Sequence, residues 1–186
     1  MIESTSSPME TSNVVVRAVR VVRRSASHPE LERFDDVLEV VDSEDEAVIE
    51  PRWKLCFAEY LSMCEGIVRV ARNASVCDRL LTDISKVERG LIEFGEEGID
   101  EYILCFGIDG AAFLLDYGQP EPQIRGDVSL VQLKIAIQVW RQYLSEPDRK
   151  TVEAPFPDER PSLSIGARSQ LVGSPRTTQL YSFKIR

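Results

Sequence analysis

The run Tyr102-Ile-Leu-Cys-Phe-Gly-Ile-Asp-Gly-Ala-Ala-Phe-Leu-Leu-Asp-Tyr117 reads as two apolar strands either side of Asp109-Gly110. That dipeptide tolerates positive φ at both centres of a type I′ turn, the connection whose twist matches paired strands. With Asp109 and Gly110 as the loop, Ile108 is expected opposite Ala111, Phe106 opposite Phe113, Leu104 opposite Leu115 and Tyr102 opposite Tyr117. Cys105 beside Leu114 and Ile103 beside Asp116 form the other face. Both faces are largely apolar, so the hairpin belongs inside a sheet covered on both sides near its turn. Asp109 or Asp116 could be read as a catalytic carboxylate at a strand end, but a turn residue and a strand-end polar residue account for them better.

On the C-terminal side, Gln119-Pro-Glu-Pro122 forces an extended excursion. Asp127 or Ser129 then caps a helix, and Gln132, three residues after Ser129, completes a capping box. Leu133, Ala136, Ile137, Trp140 and Leu144 line its apolar side, and Glu146-Pro147 stops it. On the N-terminal side, Val76, Leu80, Leu81, Ile84, Val87, Leu91 and Phe94 mark an inward helical face, with Gly95 and Gly98 ending the helix. Before it, Pro51 opens a helix whose face runs through Trp53, Cys56, Phe57, Tyr60, Cys64, Ile67, Val68 and Ala71, with Gly66 as a point of breakage. Leu31, Phe34, Val37, Leu38 and Val41 fall at helical spacing after Ser27-His28-Pro29, although Val37 to Val41 also suits a strand end. The valine-rich run from Asn13 to Val22 favours a strand, with a helix as the alternative.

These elements predict an α+β fold, three to four amphipathic helices on a small antiparallel sheet built around the 102–117 hairpin. Residues 1–12 are expected to be disordered and 13–146 to form one globular domain. Residues 147–175, rich in Pro, Ser and Arg, read as an extended segment. Alternation of Gln179, Tyr181, Phe183 and Ile185 with Thr178, Leu180, Ser182 and Lys184 suits a terminal strand at 176–186, added to a sheet edge or to a second copy.

Composition narrows the function. The chain has 186 residues and a formal net charge of −9, which argues against a nucleic-acid-binding face and for a basic partner. No stretch approaches the ~20 uninterrupted apolar residues of a membrane span. Glu3 and Glu10 ahead of the apolar run argue against a secretory signal, so the expected location is cytoplasmic. Cys56, Cys64, Cys77 and Cys105 lack CxxC spacing and His28 is the single histidine, so neither a zinc site nor another metal or cofactor is expected. Gly95-Glu-Glu-Gly98 and Gly107-Ile-Asp-Gly110 fail as phosphate loops, the first being acidic and the second a turn. No motif supplies a nucleophile beside a base, and a His28–cysteine dyad is the residual enzymatic reading.

Acids are plentiful. One cluster runs from Glu30 to Glu50, and a second comprises Glu93, Glu96, Glu97, Asp100 and Glu101. A solvated face accounts for both, but a dense patch of one sign also steers a basic partner. The expected function is therefore a non-enzymatic acidic protein-binding module, most specifically a cytoplasmic immunity protein or antitoxin neutralising a basic toxin or nuclease. Its expected partner-binding residues are Asp42, Glu44, Asp45 and Glu46 together with Glu96, Glu97, Asp100 and Glu101. The alternative is an adaptor or assembly subunit that binds through its C-terminal tail.

Overall fold

A computed structural model describes residues 14–24, 32–43, 60–99, 102–115 and 123–158. Strands β1 (Val14–Arg24) and β2 (Glu32–Asp42) come first, followed by helices α1 (Leu61–Val70) and α2 (Ala74–Glu88). Then come β3 (Phe94–Ile99), β4 (Tyr102–Gly107), β5 (Gly110–Leu115) and β6 (Gln123–Val128), and finally α3 (Leu130–Ser145) and β7 (Val152–Pro155). The class is α+β. Among the described residues there are two antiparallel sheets, ordered β2-β1-β7 and β3-β4-β5-β6, rather than the single sheet expected.

Helices α1 and α3 lie between the sheets, and α2 packs on α3 and on β3 and β4. α1 packs on β2 on one side and on β4 and β6 on the other, while α3 packs on β1 and β7 and also on β5. One core therefore joins Val16, Ala18, Leu38 and Val40 of the first sheet to Leu104, Phe106, Phe113 and Val128 of the second through Ile67, Leu80, Ile84, Ile137 and Trp140. The Trp140 indole donates 2.8 Å to the Ala71 carbonyl, fixing α3 against the end of α1. The outer face of the three-stranded sheet carries a buried ion pair, Arg17 Nε to Glu39 Oε1 at 3.0 Å, on directly opposed strand positions.

Several expectations are corrected. Residues 32–42 form a strand, not a helix, because β1 pairs along their whole length and β2 alternates Leu38 and Val40 inward against Glu39 and Val41 outward. Helix α2 ends at Glu88, not at Gly95. Gly90, at φ 66°, supplies the left-handed residue that closes it, with Leu91 N donating to the Lys86 carbonyl. Gly95 instead sits in β3, where a Cβ would come 2.1 Å from the Phe106 ring. Gly66 does not break α1 but lies within it, facing the Phe113 ring.

The hairpin shifts register. Gly107 pairs with Gly110, so the loop is Ile108-Asp109, and Phe106 meets Ala111 while Leu104 meets Phe113. Positive φ falls on Gly110 alone of these residues, at 138°. A displacement of two residues preserves face parity, so Tyr102, Leu104 and Phe106 keep the face assigned to them. Tyr117, Asp116 and the Gln119–Pro122 excursion lie outside the described residues, as do the expected disordered N-terminus, the helix start at Pro51 and the terminal strand. After α3 the chain returns to the body: β7 pairs with β1, and Phe156 N donates to the Val14 carbonyl.

Candidate functional site

A polar network centred on Asp36 and Tyr143 joins β2 to α3. The Tyr143 hydroxyl donates 2.5 Å to Asp36, which also accepts from Arg20 Nε at 3.1 Å, and the Arg149 guanidinium stands 5.4 Å over the Tyr143 ring. Burial, reinforced by the bond to Asp36, pushes the Tyr143 phenol up to about 12. Burial also works to raise Asp36, but the hydrogen bonds from Tyr143 and Arg20 outweigh it and hold the carboxylate below its ordinary range. The phenol therefore stays protonated and the carboxylate ionised around neutral pH. This pair ties β2 to α3 and is not poised for proton transfer there.

Cys77 and Cys105 behave alike. Burial raises Cys77 to about 11 and Cys105 to about 12, and Cys64 is buried as well. Neutral thiols in apolar surroundings are poor nucleophiles. His28 and Cys56 lie outside the described residues. Among the described residues no group of three or more His, Cys, Asp or Glu side chains is placed to hold a metal ion.

The expected acidic patches are only partly assembled. Asp42 closes β2 and is half-buried, while Glu44, Asp45 and Glu46 lie outside the described residues. Glu96 and Glu97 belong to strand β3 rather than to a connecting loop, and Asp100 and Glu101 lie outside the described residues. Strand alternation sends the two glutamates to opposite faces, Glu96 beside Cys105 and Glu97 beside Leu104. Glu97 is held by Arg79 of α2, whose Nε donates to it at 2.9 Å. These neighbours cannot serve as one patch.

A different surface emerges at one end of the four-stranded sheet. β3 begins, β4 ends, β5 begins and β6 ends there. The end displays Leu91 just before β3, Ile108 in the β4–β5 turn and Val131 in the first turn of α3, 63, 65 and 45% exposed. Exposed acids Glu93 and Asp109 stand beside them in sequence. Single exposed hydrophobics need no explanation, but three at the same sheet end, with carboxylates near them in sequence, have the composition of interface anchors. Sequence reading assigned Leu91 inward and Ile108 to a strand pair. The corrected helix end at Glu88 and the two-residue register shift are what expose them. Glu93 alone of these was already in an expected acidic group.

Comparisons with family models, with curated proteins and with solved structures found no match for the chain. Among the described residues no helix is long and apolar enough to cross a membrane.

Proposed function

We propose that this chain is a non-enzymatic acidic protein-binding module, most specifically a cytoplasmic inhibitor of the immunity-protein or antitoxin kind, whose partner is a basic toxin or nuclease. The observation that carries this reading is that exposed Leu91, Ile108 and Val131, with exposed Glu93 and Asp109 near them in sequence, all fall at the same end of the four-stranded sheet. A partner that fits has apolar side chains to bury and cations to meet the carboxylates. The formal charge of −9 adds long-range attraction for such a partner.

Fully burying an apolar side chain contributes about 1.5–3 kcal/mol. Replacing both Leu91 and Ile108 with Ser is therefore expected to weaken partner binding on the order of a hundredfold. The test immobilises the full chain, captures from its native host at low salt and elutes with rising salt. The reading requires that the eluted protein be basic, that its affinity fall steeply with ionic strength and that the Leu91→Ser/Ile108→Ser chain lose it. Undiminished binding by that variant, with its circular dichroism unchanged, would sink the proposal, as would turnover of a small molecule by the purified chain. The return of the chain after α3 to a sheet edge favours a second reading, an adaptor that engages its partner through the tail. Salt-insensitive binding abolished by tail substitutions and indifferent to Leu91 and Ile108 would select it.

A further inference from the structure

The outer face of the four-stranded sheet, turned away from the helices, carries Ile103, Cys105, Ala112 and Leu114, which are 1–5% exposed. They form a cluster of their own that includes no helical residue, with half-buried Phe94 packed against it. A leucine on an uncovered sheet face keeps much of its surface in water, so near-complete exclusion here signals a cover. The register adds Glu96, opposite Cys105, to the same face.

Charge separates the candidates for that cover. Residues 1–13, 25–31, 44–59, 100–101 and 116–122 each carry more acids than cations. Residues 159–186 carry Arg160, Arg168, Arg176, Lys184 and Arg186 against Glu159 alone. The first 158 residues are left with 17 cations and 30 acids. The tail is thus a cationic segment on an anionic body. Its departure point also suits this sheet. The Pro157 carbonyl accepts 2.8 Å from Gln132 in the first turn of α3, four residues beyond the end of β6, an edge strand of the sheet. An extended chain of this length reaches roughly 90 Å, whereas four strands span about 15–20 Å. The three-stranded sheet is the poorer match, because its outer face is interrupted by the buried Arg17–Glu39 ion pair, whose charges already answer each other.

We infer that the outer face of the β3-β4-β5-β6 sheet is an internal docking surface for the chain's own C-terminal segment, with the Tyr181, Phe183 and Ile185 row packed on Ile103, Cys105, Ala112 and Leu114 and the tail cations at the Glu96 edge. The tail is then a built-in occupant, which a competing strand of the same apolar and cationic character would have to displace.

Cys105 reports on this face in the full-length protein. Alkylation by iodoacetamide, followed residue by residue by mass spectrometry, is expected to find Cys105 as protected as Cys64 and Cys77. In a Tyr181→Asp/Phe183→Asp chain, Cys105 is expected to react at least tenfold faster while Cys64 and Cys77 stay protected. An unchanged Cys105 rate overturns the inference. A joint rise of all three thiols overturns it too, since the row would then be holding the main core. A benzophenone side chain at position 183 of the otherwise unaltered protein gives a check that needs no disruptive variant. Intrachain cross-links to residues 94–114 are expected. Cross-links confined to residues 14–42, or joining two copies of the chain, refute the assignment.

Discussion

Gly66 illustrates how one missing side chain sets the spacing between a helix and a sheet. It lies inside α1, where alanine would ordinarily be better by about 1 kcal/mol. A Cβ there would stand 2.2 Å from Cδ1 of Phe113, and the ring is buried with little room to retreat. Overpacking of this kind costs about 1–3 kcal/mol, and so severe an overlap puts the site at the upper end. Gly66→Ala is therefore expected to destabilise the protein by about 1–2 kcal/mol despite its better helix propensity. Thermal unfolding followed by circular dichroism measures this. Adding Phe113→Leu to Gly66→Ala should recover more than half of the loss, whereas Phe113→Leu alone should destabilise. Additive losses in the double variant would show that the contact is not the cause.

At the scale of the element, Ser129 and Gln132 do more than start α3. The Ser129 hydroxyl accepts from Gln132 N at 3.0 Å, and the Gln132 side-chain carbonyl accepts from Ser129 N at 2.9 Å, completing the reciprocal cap. The Gln132 amide then donates to the Pro157 carbonyl and to the Tyr60 hydroxyl, joining three distant parts of the chain. Ser129→Ala should cost about 1 kcal/mol, the usual loss of a cap. Gln132→Ala should cost more, because it also strips the part-buried Pro157 carbonyl of its donor. Amide hydrogen exchange distinguishes them. Phe156 N, bonded to Val14 beyond β7, should exchange faster in Gln132→Ala than in Ser129→Ala. Equal protection in both would mean that Gln132 acts only as a cap. This cap was legible because its signal is local, a Ser three residues before a Gln at the head of an apolar periodicity. The strand at 32–42 was not, because Leu31, Phe34, Val37, Leu38 and Val41 fit helical spacing, and only pairing with β1 decides between the two. Leu91 was misplaced for a related reason: an apolar period continues through Gly90, and the left-handed turn that ends α2 there redirects it outward. Of the expected site, charge was readable but side-chain direction was not, so Glu96 and Glu97 looked like one patch until alternation along β3 parted them.

For the whole molecule, one core between two sheets means that groups buried in different layers report on the same folding transition. Tyr143 on α3, Cys77 on α2 and Cys105 on β4 share a consequence, because burial raises all three above their ordinary values of 10.0, 9.0 and 9.0, to about 12, 11 and 12. In the unfolded chain the thiols begin to lose protons near pH 9 and the phenol near pH 10, while in the folded protein all three still hold theirs. The unfolded state therefore binds fewer protons across this interval, and alkali pulls the equilibrium toward it. The stability these groups supply is complete below about pH 9 and is lost progressively as pH rises through 11 to 12. Each fully titrating difference contributes about 1.4 kcal/mol per pH unit. Asp36 acts oppositely: its lowered value makes its contribution present above the ordinary carboxylate range and lost only in strong acid. Urea unfolding from pH 7 to 11.5 should thus show a midpoint that is flat to about pH 9 and falls steeply beyond it. Tyr143→Phe isolates one contribution. It should lower stability at neutral pH by removing the donor to Asp36, yet give a shallower decline above pH 10 than the parent chain. An identical alkaline slope in both proteins would place the sensitivity elsewhere and break the assigned link between the buried phenol and the contact of β2 with α3.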